Sequence, residues 1–110
     1  MTDRRVLPQR RAAETFEIAW GGLERTYAVT LGFYDDGALG EVFVNGGKSG
    51  EQVEAVARDG AVLLSLALQY GVPIASMAGA ITRDSAGAPS SIIGAVIDRI
   101  LRDADNERMQ

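Results

Sequence analysis

The chain has 110 residues, 46% of them apolar and 24% charged, and a net charge of −4, enough for one domain with a single core. It contains no Cys and no His, which excludes disulfides, thiol catalysis and thiolate metal sites and removes the commonest metal ligand and general base. Four Arg against one Asp give residues 1–11 a net +3, leaving about −7 on the rest; an acidic body is the wrong surface for duplex nucleic acid, whose phosphates need a basic face.

Residues 1–13 are expected to form a flexible basic arm. Arg4, Arg5, Arg10 and Arg11 are followed by no apolar stretch, so no signal peptide is expected. The longest uncharged run, residues 60–82, is broken by Gln69, Gly71 and Pro73. It falls short of the roughly 20 mainly apolar residues that span a bilayer, and a cytoplasmic setting is expected.

Residues 14–20 alternate, with Phe16, Ile18 and Trp20 on one face, and predict a half-buried strand. Residues 25–34 alternate again, with Tyr27, Val29, Leu31 and Phe33 together. Asp35-Asp36-Gly37 is a turn signal, better explained as such than as a metal pair, and a third strand follows over residues 39–45. Its consecutive Val42, Phe43 and Val44 predict a strand covered on both faces or central in the sheet.

Ser49 as N-cap, with Gln52 three residues on, predicts the start of a long helix that ends near Tyr70 at Gly71. Val53, Val56, Ala57, Gly60, Leu63, Leu64 and Ala67 follow helical spacing and predict its core-facing stripe, with Glu54 and Arg58 paired on the outer face. Beyond Asp59 the polar face disappears, and Val62, Leu66 and Leu68 make the helix apolar almost all round. Self-association would cover such a surface, so a homodimer burying Val62, Leu66 and Leu68 is expected. Pro73 opens a short second helix to about residue 81. Residues 82–89 form a loop, and Ser90 or Ser91 caps a last helix to about Asp103, its stripe Ile92, Ile93, Val96, Ile97, Ile100 and Leu101. Residues 104–110 are expected to fray. Strands followed by helices imply an α+β domain over residues 14–103: a three-stranded antiparallel meander, a long helix and two shorter helices packed on one face.

Two places are candidate sites. At the strand-to-helix elbow, Gly46, Gly47, Lys48 and Ser49 have the composition of an anion cradle, with backbone N–H groups and a helix N-terminus facing a phosphate, nucleotide or carboxylate. The spacing is not that of a P-loop, because Val42 stands where the first glycine belongs; the competing explanation is a structural turn with a capping serine. The other candidate is Arg83, in Thr82-Arg83-Asp84, which either fixes its loop or reaches an anionic group bidentately. No metal site, cofactor or catalytic set is expected. An enzyme built on Lys48, Asp84 or a tyrosine is the weakest of the functional alternatives.

The FEIAW and TYAVTL hairpin, the EVFVNGGKSG elbow, the helix VEAVARDGAVLLSLALQYGVP and the trailing AGAITRDSAGAPSSIIGAVIDRIL together resemble the TSCPD domain family over most of the chain. The resemblance implies a link to deoxyribonucleotide synthesis, since the family occurs as a C-terminal segment of adenosylcobalamin-dependent ribonucleotide reductases and as small standalone proteins. It also implies a reductase catalytic subunit as a partner. The family takes its name from a Cys-containing motif that is missing here, and reduction of ribonucleotides proceeds through thiyl and dithiol chemistry. The implied role is therefore accessory: a standalone module, non-catalytic alone and acting through protein contacts. The alternative is a small anion- or nucleotide-binding module using the elbow.

Overall fold

A computed structural model describes residues 3–21, 25–46 and 52–108. The chain divides into two compact units, residues Met1–Val72 and Pro73–Gln110. The first holds β1 (Ala13–Ala19), β2 (Thr26–Phe33), β3 (Leu39–Gly46) and α1 (Gln52–Gln69); the second holds α2 (Ile74–Ala78) and α3 (Ile92–Arg108). The arrangement is α+β, an antiparallel meander in the order β1-β2-β3 followed by helices.

Alternation along the strands decides which face is buried. Tyr27, Val29 and Leu31 of β2 lie opposite Gly46, Val44 and Val42 of β3. Tyr27, Val29, Leu31, Val42 and Val44 are all buried, and α1 packs against β3. The other face carries Thr15, Thr30 and Phe43 in a row; the Thr15 and Thr30 hydroxyls lie 3.1 Å apart. Burying each of these core side chains contributes about 1.5–3 kcal/mol.

The run Val42-Phe43-Val44 does not mark a central strand. β2 is central, β3 is an edge, and Phe43 is 50% exposed on the outer face. The register slips by one residue between Gly32 and Phe33, leaving Gly40 unpaired as a bulge. Gly40 has to be glycine: a Cβ there would lie 2.6 Å from the Tyr34 ring and 2.7 Å from Leu7. The turn before β3 is built by Asp36, whose Oδ1 accepts from Ala38 N–H at 2.9 Å. That bond, with the Arg5 guanidinium beside it, holds the Asp36 carboxyl below its ordinary value of 3.8.

The core stripe of α1 is rotated from the predicted one. Ala57, Ala61 and Leu64 are buried, while Val53, Val56 and Leu63, expected inside, are 47%, 60% and 67% exposed. Small side chains at 57 and 61 let the helix axis approach the sheet, and the larger apolar residues form a second stripe away from it.

Residues 3–12, expected to be a mobile arm, are instead tied to the first unit. Arg5 N–H donates to Gln69 O at 2.8 Å, and Phe33 N–H donates to Ala12 O. Tyr34 O–H donates to Arg5 O, and the Arg5 guanidinium lies 3.8 Å from the Tyr34 ring centroid. Arg11 pairs with Glu41.

In the second unit α2 is shorter than expected, with Pro73 as its N-cap rather than its first helical residue. Ser91 caps α3, its Oγ accepting from Gly94 N–H at 3.1 Å. The expected stripe is present, with Ile92, Val96, Ile97 and Ile100 buried. The helix continues past Asp103 to Arg108.

Candidate functional site

Of the predicted anion cradle, the structure describes Gly46; Gly47, Lys48 and Ser49 lie outside the described residues. Gly46 ends β3 where the backbone presses on β2: a Cβ would sit 2.7 Å from Thr26 O and 2.8 Å from Tyr27 Cα. Its glycine identity is thus accounted for by strand packing. Glu54 lies in the first turn of α1, so a carboxylate already complements the positive helix end that an anion would use.

Arg83 is fully occupied within the second unit. Its Nη1 and Nη2 donate to Asp98 Oδ2 and Oδ1, both at 2.8 Å, in a bidentate fork. The same nitrogens reach Gly87 O at 3.0 Å and Ala78 O at 2.9 Å. This is the loop-fixing role, with Asp98 on α3 as the partner rather than the adjacent Asp84. The fork holds the Asp98 carboxyl below its ordinary value. Asp84 instead closes the loop, its Oδ1 accepting from Ala86 and Ala88 N–H.

The feature that sequence did not disclose is a groove of about 330 Å³ between α1 and the outer edge of β3. It exists because α1 reaches past the strand it packs on. The Ser65 hydroxyl meets Val42 N–H at 2.8 Å and Val42 O at 3.1 Å. Gln69, 6% exposed, donates to Gly40 O at 3.0 Å and accepts from Arg4 Nε at 2.6 Å. Two side chains of α1 thereby satisfy the first part of an edge that would otherwise stand open. Beyond them the groove is lined by Phe43, Val44, Asn45, Ala61, Val62 and Leu66, with Arg4 and Arg58 also on its walls. Val62, expected at an interface, is 56% exposed; Leu66 and Leu68 are half-buried. A polar residue such as Ser65 or Gln69 inside an apolar helix was the available signal for this covered edge.

Among the described residues, no three Asp or Glu side chains gather to hold a metal. The shifted titrations at Asp36, Arg83 and Asp98 all come from surface ion pairs and hydrogen bonds, not from the desolvation that prepares an acid or base. No helix among the described residues is long and apolar enough to cross a membrane.

The chain belongs to the TSCPD domain family, whose model matches residues 2–104. The match takes in the N-terminal residues that tie the arm to Gln69. Among curated proteins it is similar to the Vitamin B12-dependent ribonucleotide reductase of Bradyrhizobium diazoefficiens, 39% identical over 82 residues, 74% of this chain and 6% of that one. The enzyme of the same name from Agrobacterium fabrum is 38% identical over 80 residues, 73% of this chain and 6% of its own. That of Rhodopirellula baltica is 35% identical over 71 residues, 64% and 7%. The chain thus spans a small fraction of the length of these relatives. No solved structure matches it.

Proposed function

We propose that this chain is an accessory TSCPD module of deoxyribonucleotide synthesis, which does no chemistry alone and works through contact with a ribonucleotide reductase catalytic subunit. The observation that carries this is the joint one: 39% identity to a reductase across 82 residues, in a chain with no Cys and no His. Reduction through thiols needs a cysteine, and the chain has none. Nor do the described concavities suit a corrinoid: the α1/β3 groove of about 330 Å³ and a shallow depression of about 400 Å³ at residues 12–37 are too small to enclose the ring, and no imidazole is available to ligate its metal.

The test has two arms. The purified chain, given ribonucleotide, adenosylcobalamin and a dithiol reductant, yields no deoxyribonucleotide; turnover above background overturns the non-catalytic part. Titrated against a Vitamin B12-dependent reductase, it forms a complex at micromolar concentration, read by calorimetry or sedimentation. Absence of association removes the reductase as the partner.

A further inference from the structure

We infer that the free edge of β1 takes an extended segment of a partner protein as a fourth, antiparallel strand of the sheet, with basic side chains of that segment opposite Glu14 and Glu17. This rests on the protein-contact function proposed above and names the surface and the chemistry of the contact.

The hydrogen-bond ladder fixes which backbone groups of β1 are open. In an antiparallel pair, residues that exchange both bonds alternate with residues that exchange none. The β1–β2 register runs from Ala13 opposite Gly32 to Ala19 opposite Thr26 without a slip. Just beyond its two ends, Phe33 N–H donates to Ala12 O at 3.0 Å and Trp20 N–H donates to Arg25 O at 3.1 Å. The bonded positions are therefore the even-numbered ones from Ala12 to Trp20. Ala13, Thr15, Glu17 and Ala19 turn their N–H and C=O away from β2, and all four residues are exposed. Among the described residues, no hydrogen bond reaches these outward groups.

The two edges of the sheet differ in this respect. On β3, Ser65 takes the outward groups of Val42, Gln69 takes Gly40 O, and Val44 is buried. β1 is the opposite edge, and no side chain among the described residues closes it. It contains neither the proline nor the bulge that commonly blunts an edge. Its 7 residues offer an added strand about 23 Å of template, at roughly 3.3 Å per residue.

Side chains select the occupant. Glu14 and Glu17 are exposed, and neither has a cationic partner among the described residues. Every other side chain of β1 is uncharged. A second copy paired through this edge would bring two carboxylates from each chain together with no counter-charge. A basic segment instead gains opposite-charge pairs across the strands, and the same carboxylates reject an acidic one. On the other face of β1, Phe16 continues the row of Val29 and Val44, which are buried. An apolar residue opposite Phe16 extends that row by one strand. The register follows: in an antiparallel heptapeptide laid from Ala19 to Ala13, the third residue faces Glu17, the fourth Phe16 and the sixth Glu14.

The probe is the blocked heptapeptide Thr-Val-Lys-Val-Thr-Lys-Thr, titrated into the isotope-labelled chain, with Thr-Val-Glu-Val-Thr-Glu-Thr as control. The lysine peptide shifts the amides of Ala13, Thr15, Glu17 and Ala19 and slows their exchange, and its affinity falls as salt rises. The glutamate peptide leaves them in place. N-methylation of the lysine peptide at its third and fifth residues, whose N–H groups face β1, abolishes binding; N-methylation at its second and fourth residues, which face away, does not. Glu17→Lys keeps the native amide spectrum and weakens binding about tenfold, since a repulsive cross-strand pair replaces an attractive one. Thr15→Pro removes an outward N–H without touching the β1–β2 ladder and also abolishes binding; should it unfold the chain, the N-methylated peptides decide. No shift at these amides at millimolar peptide overturns the inference, as do equal shifts from the glutamate peptide or indifference to N-methylation at the third and fifth residues. Movement of the same amides on raising protein concentration without peptide identifies a second copy as the occupant and likewise overturns it. A reductase complex that survives Thr15→Pro undiminished overturns the assignment of β1 to that contact and leaves the accessory function standing; peptide capture at β1 while no reductase associates upholds the edge and removes the reductase.

Discussion

Gln69 is the residue on which most of the first unit's polar bookkeeping converges. Its amide serves Gly40 O and Arg4 at once, and its own carbonyl receives Arg5 N–H. Leucine would fill the same space but leave a strand carbonyl and a guanidinium without partners, and stranding a buried polar group costs about 1–3 kcal/mol. Gln69→Leu is therefore expected to lower unfolding free energy by about 2 kcal/mol in urea titration and to speed amide exchange at Arg5. Ser65→Ala is a milder lesion of the same kind. It removes the cap on Val42 and a back-bond to Ala61 O, and about 1 kcal/mol is expected. If Ser65→Ala costs nothing, water replaces the hydroxyl and the edge is not sealed by the helix.

At the level of elements, the strands were legible and the helix was not fully so. β1 and β2 alternate cleanly because one face is wet, so Phe16, Ile18, Tyr27, Val29 and Leu31 could be assigned to a side from the sequence. Phe43 misled because an apolar side chain on the outer face of an edge strand looks, in sequence, like burial. In α1 two apolar stripes have the same spacing, and periodicity cannot rank them. The sheet chose the one with Ala57 and Ala61 because a helix close to a sheet has room for methyl groups, not for Val56 and Leu63. The elbow was legible as a change from strand to helix at Gly46, but a glycine required by strand contact and one required by a ligand look alike in sequence. Arg83 illustrates the remaining gap: sequence placed it beside Asp84, whereas the fold supplies Asp98, fifteen positions on. That fork makes a pH prediction. Asp98 titrates below its ordinary 3.8 in the folded chain, so the stability it contributes is fully present above that value and is lost as pH falls below it through the lower folded value. Asp98→Asn should flatten the acid limb of stability below that ordinary value, measured by thermal melts at descending pH; an unchanged acid limb would mean that the fork adds nothing.

For the whole molecule the question is what covers the second stripe of α1. Val53, Val56 and Leu63 stand 47%, 60% and 67% exposed along one side of the helix, a placement that costs solvation and repays it only on contact. From Val53 to Tyr70 this side runs about 25 Å at 1.5 Å per residue, long enough for two such helices to pack across a two-fold axis. A homodimer is thus proposed to form on this side rather than through the expected Val62, Leu66 and Leu68, of which Leu66 and Leu68 are half-buried. Light scattering at micromolar concentration should give twice the mass of the chain, falling to the single mass on dilution. Leu63→Glu should return the monomer at every concentration with little loss of fold, because the side chain it replaces packs on almost nothing within its own chain. A wild-type chain that stays monomeric at high micromolar concentration would count decisively against the dimer and would assign the stripe to contact with a different protein.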